Sequence, residues 1–163
     1  MEGNKKVRPT ARAILVFGAP CSGKTTFGQK FAARFKSPFY DLDAIAAENN
    51  LTREHILVLI KEIAKTGKDL VIEGGLNTEK DRTEIRNIVR AAGYQPYLIW
   101  VQTDVLTIRA RLKARHKSVS KAKAEYDARI GELEAPADFE NPIILSGKHT
   151  FETQLRHALT GLA

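Results

Sequence analysis

Gly18-Ala19-Pro20-Cys21-Ser22-Gly23-Lys24-Thr25 decides how the rest of this chain is read. A glycine, four residues and then Gly-Lys-Thr is the spacing of a loop that wraps an anion in its own backbone N–H groups. Gly18 and Gly23 permit the sharp curl that turns successive N–H groups inward. Just upstream, Ala13-Ile14-Leu15-Val16-Phe17 is a short aliphatic run and predicts a buried strand. Downstream, Thr25 to Phe35 carries Phe27, Phe31, Ala32 and Phe35 at helical spacing. The loop thus joins a strand to a helix whose dipole adds positive potential at the anion. In such a loop Lys24 reaches the β- and γ-phosphates of a nucleoside triphosphate, and Thr25 offers a hydroxyl to magnesium. The candidate nucleotide-binding set is Gly18, Ala19, Pro20, Cys21, Ser22, Gly23, Lys24, Thr25 and Thr26. Cys21 has two readings. It is a small side chain turned away from the phosphates, or a thiolate stabilised by the same N–H groups.

Beyond the loop, short apolar runs alternate with helical patterns. Phe39-Tyr40 reads as a second strand running into Asp41-Leu42-Asp43. A helix is expected over Thr52–Lys65, ended by Gly67. Leu70-Val71-Ile72 is the third strand and runs into Glu73-Gly74-Gly75. Helix 78–92, strand Tyr97–Val101, helix 104–115, a break at 116–120, helix 121–133, strand Ile143–Leu145 and a last helix capped by Thr150 complete the chain. Aliphatic strands alternating with helices imply a parallel α/β sheet covered on both faces. Ligands of such sheets bind beyond the carboxyl ends of the strands. The glycine-rich loop, Asp41/Asp43 and Glu73-Gly74-Gly75 all fall there.

The acids have chemical uses at such a place. Phosphoryl transfer needs a carboxylate near magnesium and often a second to accept the acceptor's proton. On an extended segment Asp41 and Asp43 would share one face. A plainer alternative makes one of them the N-cap of a short helix. Glu73 precedes two glycines that let a ligand approach the backbone closely, which makes Glu73, Gly74 and Gly75 candidates for the acceptor side. Between Asp104 and Arg129 stand eight basic residues against three acids. Arg111 and Arg115, four apart, share a helix face. Paired arginines suit a triphosphate and its transition state, so segment 104–135 is a candidate lid.

The chain has 163 residues, enough for one domain, and a net charge of +7 that suits anionic partners. No apolar run approaches a membrane span. Residues 1–12 read as a polar, basic lead-in without a secretory signal, and 13–163 as one domain. One cysteine allows no internal disulfide, which suits the cytoplasm.

With these motifs in place, the chain resembles the P-loop kinase superfamily, which includes shikimate, gluconate, adenylate and polynucleotide kinases and zeta-type toxins. The likeness runs from about Ala13 to Leu162. Phe39-Tyr40-Asp41-Leu42-Asp43 is similar to the Phe-x-Asp-x-Asp segment of shikimate and gluconate kinases. Ile72-Glu73-Gly74-Gly75 is similar both to the glycine-rich strand end of shikimate kinases and to the acidic one of zeta-type toxins. The resemblance implies a five-stranded parallel sheet in the order 2-3-1-4-5, with ATP and magnesium as cofactors. It implies Asp41 near magnesium, Asp43 binding or deprotonating the acceptor hydroxyl, and Arg111 and Arg115 on the lid. The signatures of individual members are missing. The Asp-x-x-Arg of polynucleotide kinases and the Asp-Gly-Phe-Pro-Arg of adenylate kinases have no counterpart. The expected activity is transfer of the γ-phosphoryl group of ATP to a small-molecule hydroxyl, with Lys24, Asp43, Arg111 and Arg115 as its catalytic candidates. The alternatives are a 5′-hydroxyl polynucleotide kinase and a nucleotide-binding module without activity. The basic lid also predicts weak, sequence-blind binding to nucleic acid, and no membrane partner is expected.

Overall fold

The computed structural model describes residues 10–163. Of the expected lead-in, residues 1–9 lie outside the described range. Arg12 already belongs to the first strand, its backbone N–H donating to Asp69 at 2.7 Å.

Strand β1 (Arg12–Phe17) is followed by α1 (Lys24–Arg34), β2 (Phe39–Asp41), α2 (Leu42–Asn49), α3 (Arg53–Ala64), β3 (Leu70–Glu73) and α4 (Glu79–Ala91). Then come β4 (Gln95–Gln102), α5 (Val105–Arg115), α6 (Val119–Ile130), β5 (Ile143–Ser146) and α7 (Phe151–Leu162). The five strands form one sheet in the order β2-β3-β1-β4-β5, every neighbouring pair parallel.

β1 is apolar on both faces because both are covered. Ala13, Leu15 and Phe17 point into one core with Ile56, Ile60, Ile85 and Val89 of α3 and α4. Ile14 and Val16 point into the other, against Phe27, Phe31 and Ala32 of α1 and Leu155 and Ala158 of α7. The two-residue strand period assigns alternate side chains to opposite cores, and full burial of each large aliphatic contributes roughly 1.5–3 kcal/mol. Helices α5 and α6 make a small core of their own from Ile108, Leu112, Ala122 and Tyr126, with Ala19 and Cys21 packed against it.

Parallel register aligns the carboxyl ends. Val16 stands opposite Glu73, and Asp41 opposite Glu73 on the other side. Three strand ends therefore reach one level, directly under the loop that leaves β1.

One buried ion pair ties the fold behind this level. Arg82 of α4 is 0% exposed and grips Glu140 through two bonds of 2.8 and 2.9 Å. It also donates to the carbonyls of Leu76, Asn77 and Glu134, and lies 4.7 Å from the centroid of the Phe17 ring. Removing one member of such a pair strands the other, at a cost of about 3–5 kcal/mol. Arg82→Ala is expected to lower the melting temperature by roughly 2–4 °C for each of those kcal/mol. Replacing both residues with apolar side chains of matched volume should restore much of the loss. Thermal denaturation of the single and double variants tests this, and an unchanged midpoint in Arg82→Ala would refute it.

Candidate functional site

Seven α-helices are present among the described residues, and six begin with a side-chain cap. Asp41, Thr52, Thr78, Asp104, Ser118 and Thr150 each accept a bond from a first-turn N–H. The exception is α1. Its N-cap is Gly23, at φ 99°, with no side chain to offer. The first N–H groups of any helix lack intrahelical partners. At α1 they are left to whatever anion enters the loop.

The loop is held from behind. Thr103 Oγ1 donates to the Ser22 carbonyl at 2.8 Å. Arg111 donates to the Cys21 carbonyl at 2.9 Å and to the Gly147 carbonyl at 3.0 Å. Gly147, in the turn after β5, has to be glycine, since a Cβ there would sit 1.8 Å from the Ser22 carbonyl oxygen. Lys24 Nζ donates across the loop to the Ala19 carbonyl at 3.2 Å.

A cleft of about 810 Å³ opens above. Pro20, Cys21, Gly23, Lys24, Thr25 and Thr26 line it from the loop side, while Gly18, Ala19 and Ser22 do not. Ser22 is fully buried with its hydroxyl unpartnered among the described residues. Asp41, Asp43 and Glu73 line the cleft from the strand ends, and Arg111, Arg115 and Arg129 from the helical hairpin. Cys21 touches both environments, lining the cleft and packing on the α5–α6 core.

Glu73 is the most constrained of the acids. It is 4% exposed, and Oε1 accepts from the Thr25 hydroxyl at 2.6 Å. Oε2 is buried with no partner among the described residues. Burial pushes the Glu73 carboxyl above its ordinary range, against the pull of the Thr25 bond and the Lys24 charge. A buried carboxylate with one idle oxygen, bonded to the hydroxyl that would face magnesium, is a donor set suited to a hard cation. No group of three or more His, Cys, Asp or Glu is placed to hold a metal ion by itself among the described residues.

Because its pKa is raised in the fold, Glu73 favours the folded state below the ordinary carboxylate pKa. That contribution is lost as pH rises through the folded-state value. Glu73→Gln is expected to keep the bond to Thr25 and remove the buried charge. The ligand-free variant should melt at or above the parent temperature at neutral pH, with less pH dependence above about pH 4.5. Its magnesium affinity with nucleotide bound should fall ~10- to 100-fold. A lower melting temperature together with unchanged magnesium affinity would overturn this assignment.

Two expectations need correction. Asp41 and Asp43 do not share a face of an extended segment. β2 ends at Asp41, and α2 begins at once with Leu42. Asp41 Oδ1 caps that helix, accepting from Ala44 N at 3.0 Å, and Asp43 sits in its first turn. Both still face the cleft. Gly74 and Gly75 do not line it. Their open backbone admits a neighbouring side chain where a ligand was expected. The Gly75 N–H donates to Asp43 Oδ1 at 3.1 Å, and Arg53 donates to the Gly75 carbonyl at 3.3 Å. Gly74 has φ 84°, and a Cβ there would lie 2.8 Å from Asp43 Cγ.

Arg111 and Arg115 lie on one helix face but are held differently. Arg111 is fixed to two backbone carbonyls. Arg115 is 58% exposed and stands 3.9 Å from Glu125, which also meets His116 and, at 3.6 Å, Arg129. Arg129, Thr103, Gly147 and Glu140 were not singled out from sequence. For Gly147 the available signal was a glycine directly after the last strand.

The family model described as AAA domain matches residues 14–135. No curated protein matches the sequence. Among solved structures, a gluconokinase from Sinorhizobium meliloti 1021 superposes with a TM-score of 0.68 at 19% identity, covering 95% of this chain and 93% of that one. The APS kinase CysC of Mycobacterium tuberculosis, in complex with AMPPNP and APS, gives 0.66 at 13% identity, covering 95% and 99%. Chaetomium thermophilum Kti12, in complex with ADP-AlF3, gives 0.68 at 15% identity, covering 93% and 99%. At these identities the likeness is one of fold, and the fold is that of the P-loop kinases.

Proposed function

The chain belongs to the AAA-domain family, and from that premise we propose that it is an ATP-dependent phosphotransferase moving the γ-phosphoryl group of ATP to a hydroxyl of a small molecule. The observation that carries this reading is the uncapped start of α1, opening into the same cleft as the Thr25–Glu73 pair and Asp43. A module that only held nucleotide would need the first of these and not the last.

In this reading residues 18–26 cradle the phosphates through backbone N–H groups, and Lys24 exchanges the Ala19 carbonyl for phosphate oxygens. Thr25 and Glu73 would hold magnesium, with Asp41 reaching it through water. Held there, the cation would supply positive charge against the phosphates. Asp43 accepts the acceptor's proton, and Arg115 meets charge that develops on the transferred group. Arg111, tied to Cys21 and Gly147, orients the loop and can reach phosphate from the lid side. The working unit is one domain, residues 13–163, with residues 104–135 as its lid. No helix among the described residues is long and apolar enough to cross a membrane. The lone Cys21 asks for no oxidising compartment, and a cytoplasmic location is part of the proposal.

The test is transfer of labelled γ-phosphate to pools of small hydroxyl compounds, with Lys24→Ala as control. Absence of Lys24-dependent transfer to any pool, with ATP bound, would favour the binding module.

The basic hairpin supports a second reading, a kinase of nucleic-acid 5′ ends. Such a protein usually offers aromatic platforms for the bases. Tyr126, the only aromatic of α5 and α6, is 8% exposed and packed in the hairpin core. We expect weak, sequence-blind oligonucleotide binding, falling by about 0.7 log units per log unit of salt for each single-strand phosphate contacted. No 5′-end labelling is expected. Efficient Lys24-dependent labelling of 5′-hydroxyl DNA or RNA would promote this second reading over the first.

A further inference from the structure

Three arginines of α4, Arg82, Arg86 and Arg90, are spaced one turn apart and form a single stripe. Only the first has a matched acid. Glu140 accepts two bonds from Arg82 and is itself buried. Arg86 is half-buried and makes no ion pair or side-chain hydrogen bond among the described residues. Burial pushes its guanidinium below the ordinary value, and the neighbouring Arg90 charge adds to the effect, opposed in part by the charge of Glu140. Arginine does not escape by losing its proton. Like charges one turn apart also repel. The helix C-terminus gives Arg90 a favourable place, but Arg86 lies a turn further in and is left unexplained.

Arg86 and Arg90 line a groove of about 640 Å³. Its other walls include Tyr97, Phe139, Asn141, His157 and the Arg82-bound Glu140. Phe139 is 68% exposed, a large apolar surface with nothing packed over it. The groove lies toward the amino ends of β4 and β5, whereas the nucleotide cleft lies beyond the carboxyl ends. Gln95 and Gln102, at the two ends of β4, are separated by roughly 23 Å at ~3.3 Å per residue. The two sites do not overlap in lining residues.

We propose that this groove is a second binding site, independent of the loop at 18–25, for a small organic anion. A phosphate or carboxylate group sits between the Arg86 and Arg90 guanidiniums, and an apolar or aromatic body lies against Tyr97 and Phe139. Two arginine forks present donors in the geometry that phosphate and carboxylate oxygens accept. Glu140 attracts Arg86 from the same groove wall without bonding it, and an anion there would add a bonded partner. The exposed ring of Phe139 covers the body of the ligand, so affinity comes from both halves of the molecule.

The test uses the full chain carrying Lys24→Ala, which separates this site from the nucleotide loop. The probes are AMP, a phosphate on a planar body, and inorganic phosphate alone. Calorimetry should give saturable one-to-one AMP binding tighter than about 1 mM. Adding Arg86→Gln should weaken that binding at least ~10-fold. Without ligand, Arg86→Gln should melt at or above the parent temperature, because it removes a desolvated and repelled charge. A residue kept for stability alone would show the opposite. Phe139→Ala, at an exposed position, should weaken AMP and leave inorganic phosphate unaffected. The proposal falls if AMP does not bind Lys24→Ala within that range. It falls equally if Arg86→Gln leaves AMP affinity unchanged. If inorganic phosphate binds as tightly as AMP, the role given to Phe139 and Tyr97 is wrong.

Discussion

Replacing Lys24 with alanine is expected to weaken ATP and ADP binding by ~100-fold or more while leaving the fold intact. A hydrogen bond to a charged group contributes about 1.5–3 kcal/mol. In the proposed reading Lys24 would make such bonds to two phosphates, so about 3–6 kcal/mol would be lost, and 1.4 kcal/mol is tenfold in affinity. The fold should survive. Lys24 is the first residue of α1, where alanine is at least as good a helix former. The side chain makes one internal bond, to the Ala19 carbonyl. Nucleotide at a hundred times its dissociation constant adds about 2.7 kcal/mol to the parent's stability. At about 2–4 °C per kcal/mol this is a shift of roughly 5–10 °C. The variant should melt near the ligand-free parent and show almost no such shift. Calorimetry finding equal affinity in variant and parent would remove the basis for the nucleotide site.

The loop and its helix were legible because each step is local. A strand, a glycine, four residues and Gly-Lys-Thr sit within 13 contiguous positions, from Ala13 to Thr25. The sheet order was legible only through the family resemblance, which the strand pairings bear out. Helix α2 was harder to see. Leu42–Asn49 is short, only weakly amphipathic, and follows β2 without an intervening residue. Asp41 serves at once as the strand's last residue and the helix's cap, so alternation along a strand was the wrong rule for Asp43. The plainer alternative, an N-cap, describes Asp41.

Other parts depend on contacts far apart in sequence. Glu73 reads as an acid at a strand end, where solvent is the ordinary surrounding. It is buried because Val16 and Asp41 flank it in register and Thr25 closes over one oxygen. Arg82 sits in Glu79-Lys80-Asp81-Arg82, which looks like a solvated first turn. Its partner Glu140 lies 58 positions later, beyond the α5–α6 hairpin. Gly147 reads as an ordinary turn residue. Only the approach of the Ser22 carbonyl makes any side chain there impossible. In each case local residue preference is neutral and the tertiary contact decides.

Asp43→Asn is expected to leave ATP affinity and melting temperature near the parent values and to lower phosphoryl transfer by ~100- to 10,000-fold, the usual cost of removing a general base. The geometry makes this a clean substitution. Oδ1 of Asp43 is held by the Gly75 N–H at 3.1 Å, and an asparagine oxygen accepts the same bond. The side chain is exposed in the open cleft, so no buried charge is lost on replacement. What disappears is the second oxygen's ability to take a proton. Asp41→Asn provides the contrast. Asparagine caps a helix as well as aspartate does, so α2 should persist, and the expected change is a higher magnesium requirement. Gly74→Ala supplies a purely geometric test. Its Cβ would press on Asp43 Cγ at 2.8 Å from a backbone at φ 84°. Displacing an intact carboxylate should lower turnover and spare ATP affinity, although no catalytic group has been altered. Once an acceptor is in hand, near-normal turnover in Asp43→Asn would refute the base assignment. Full activity in Gly74→Ala would show that the glycine pair is not what positions Asp43.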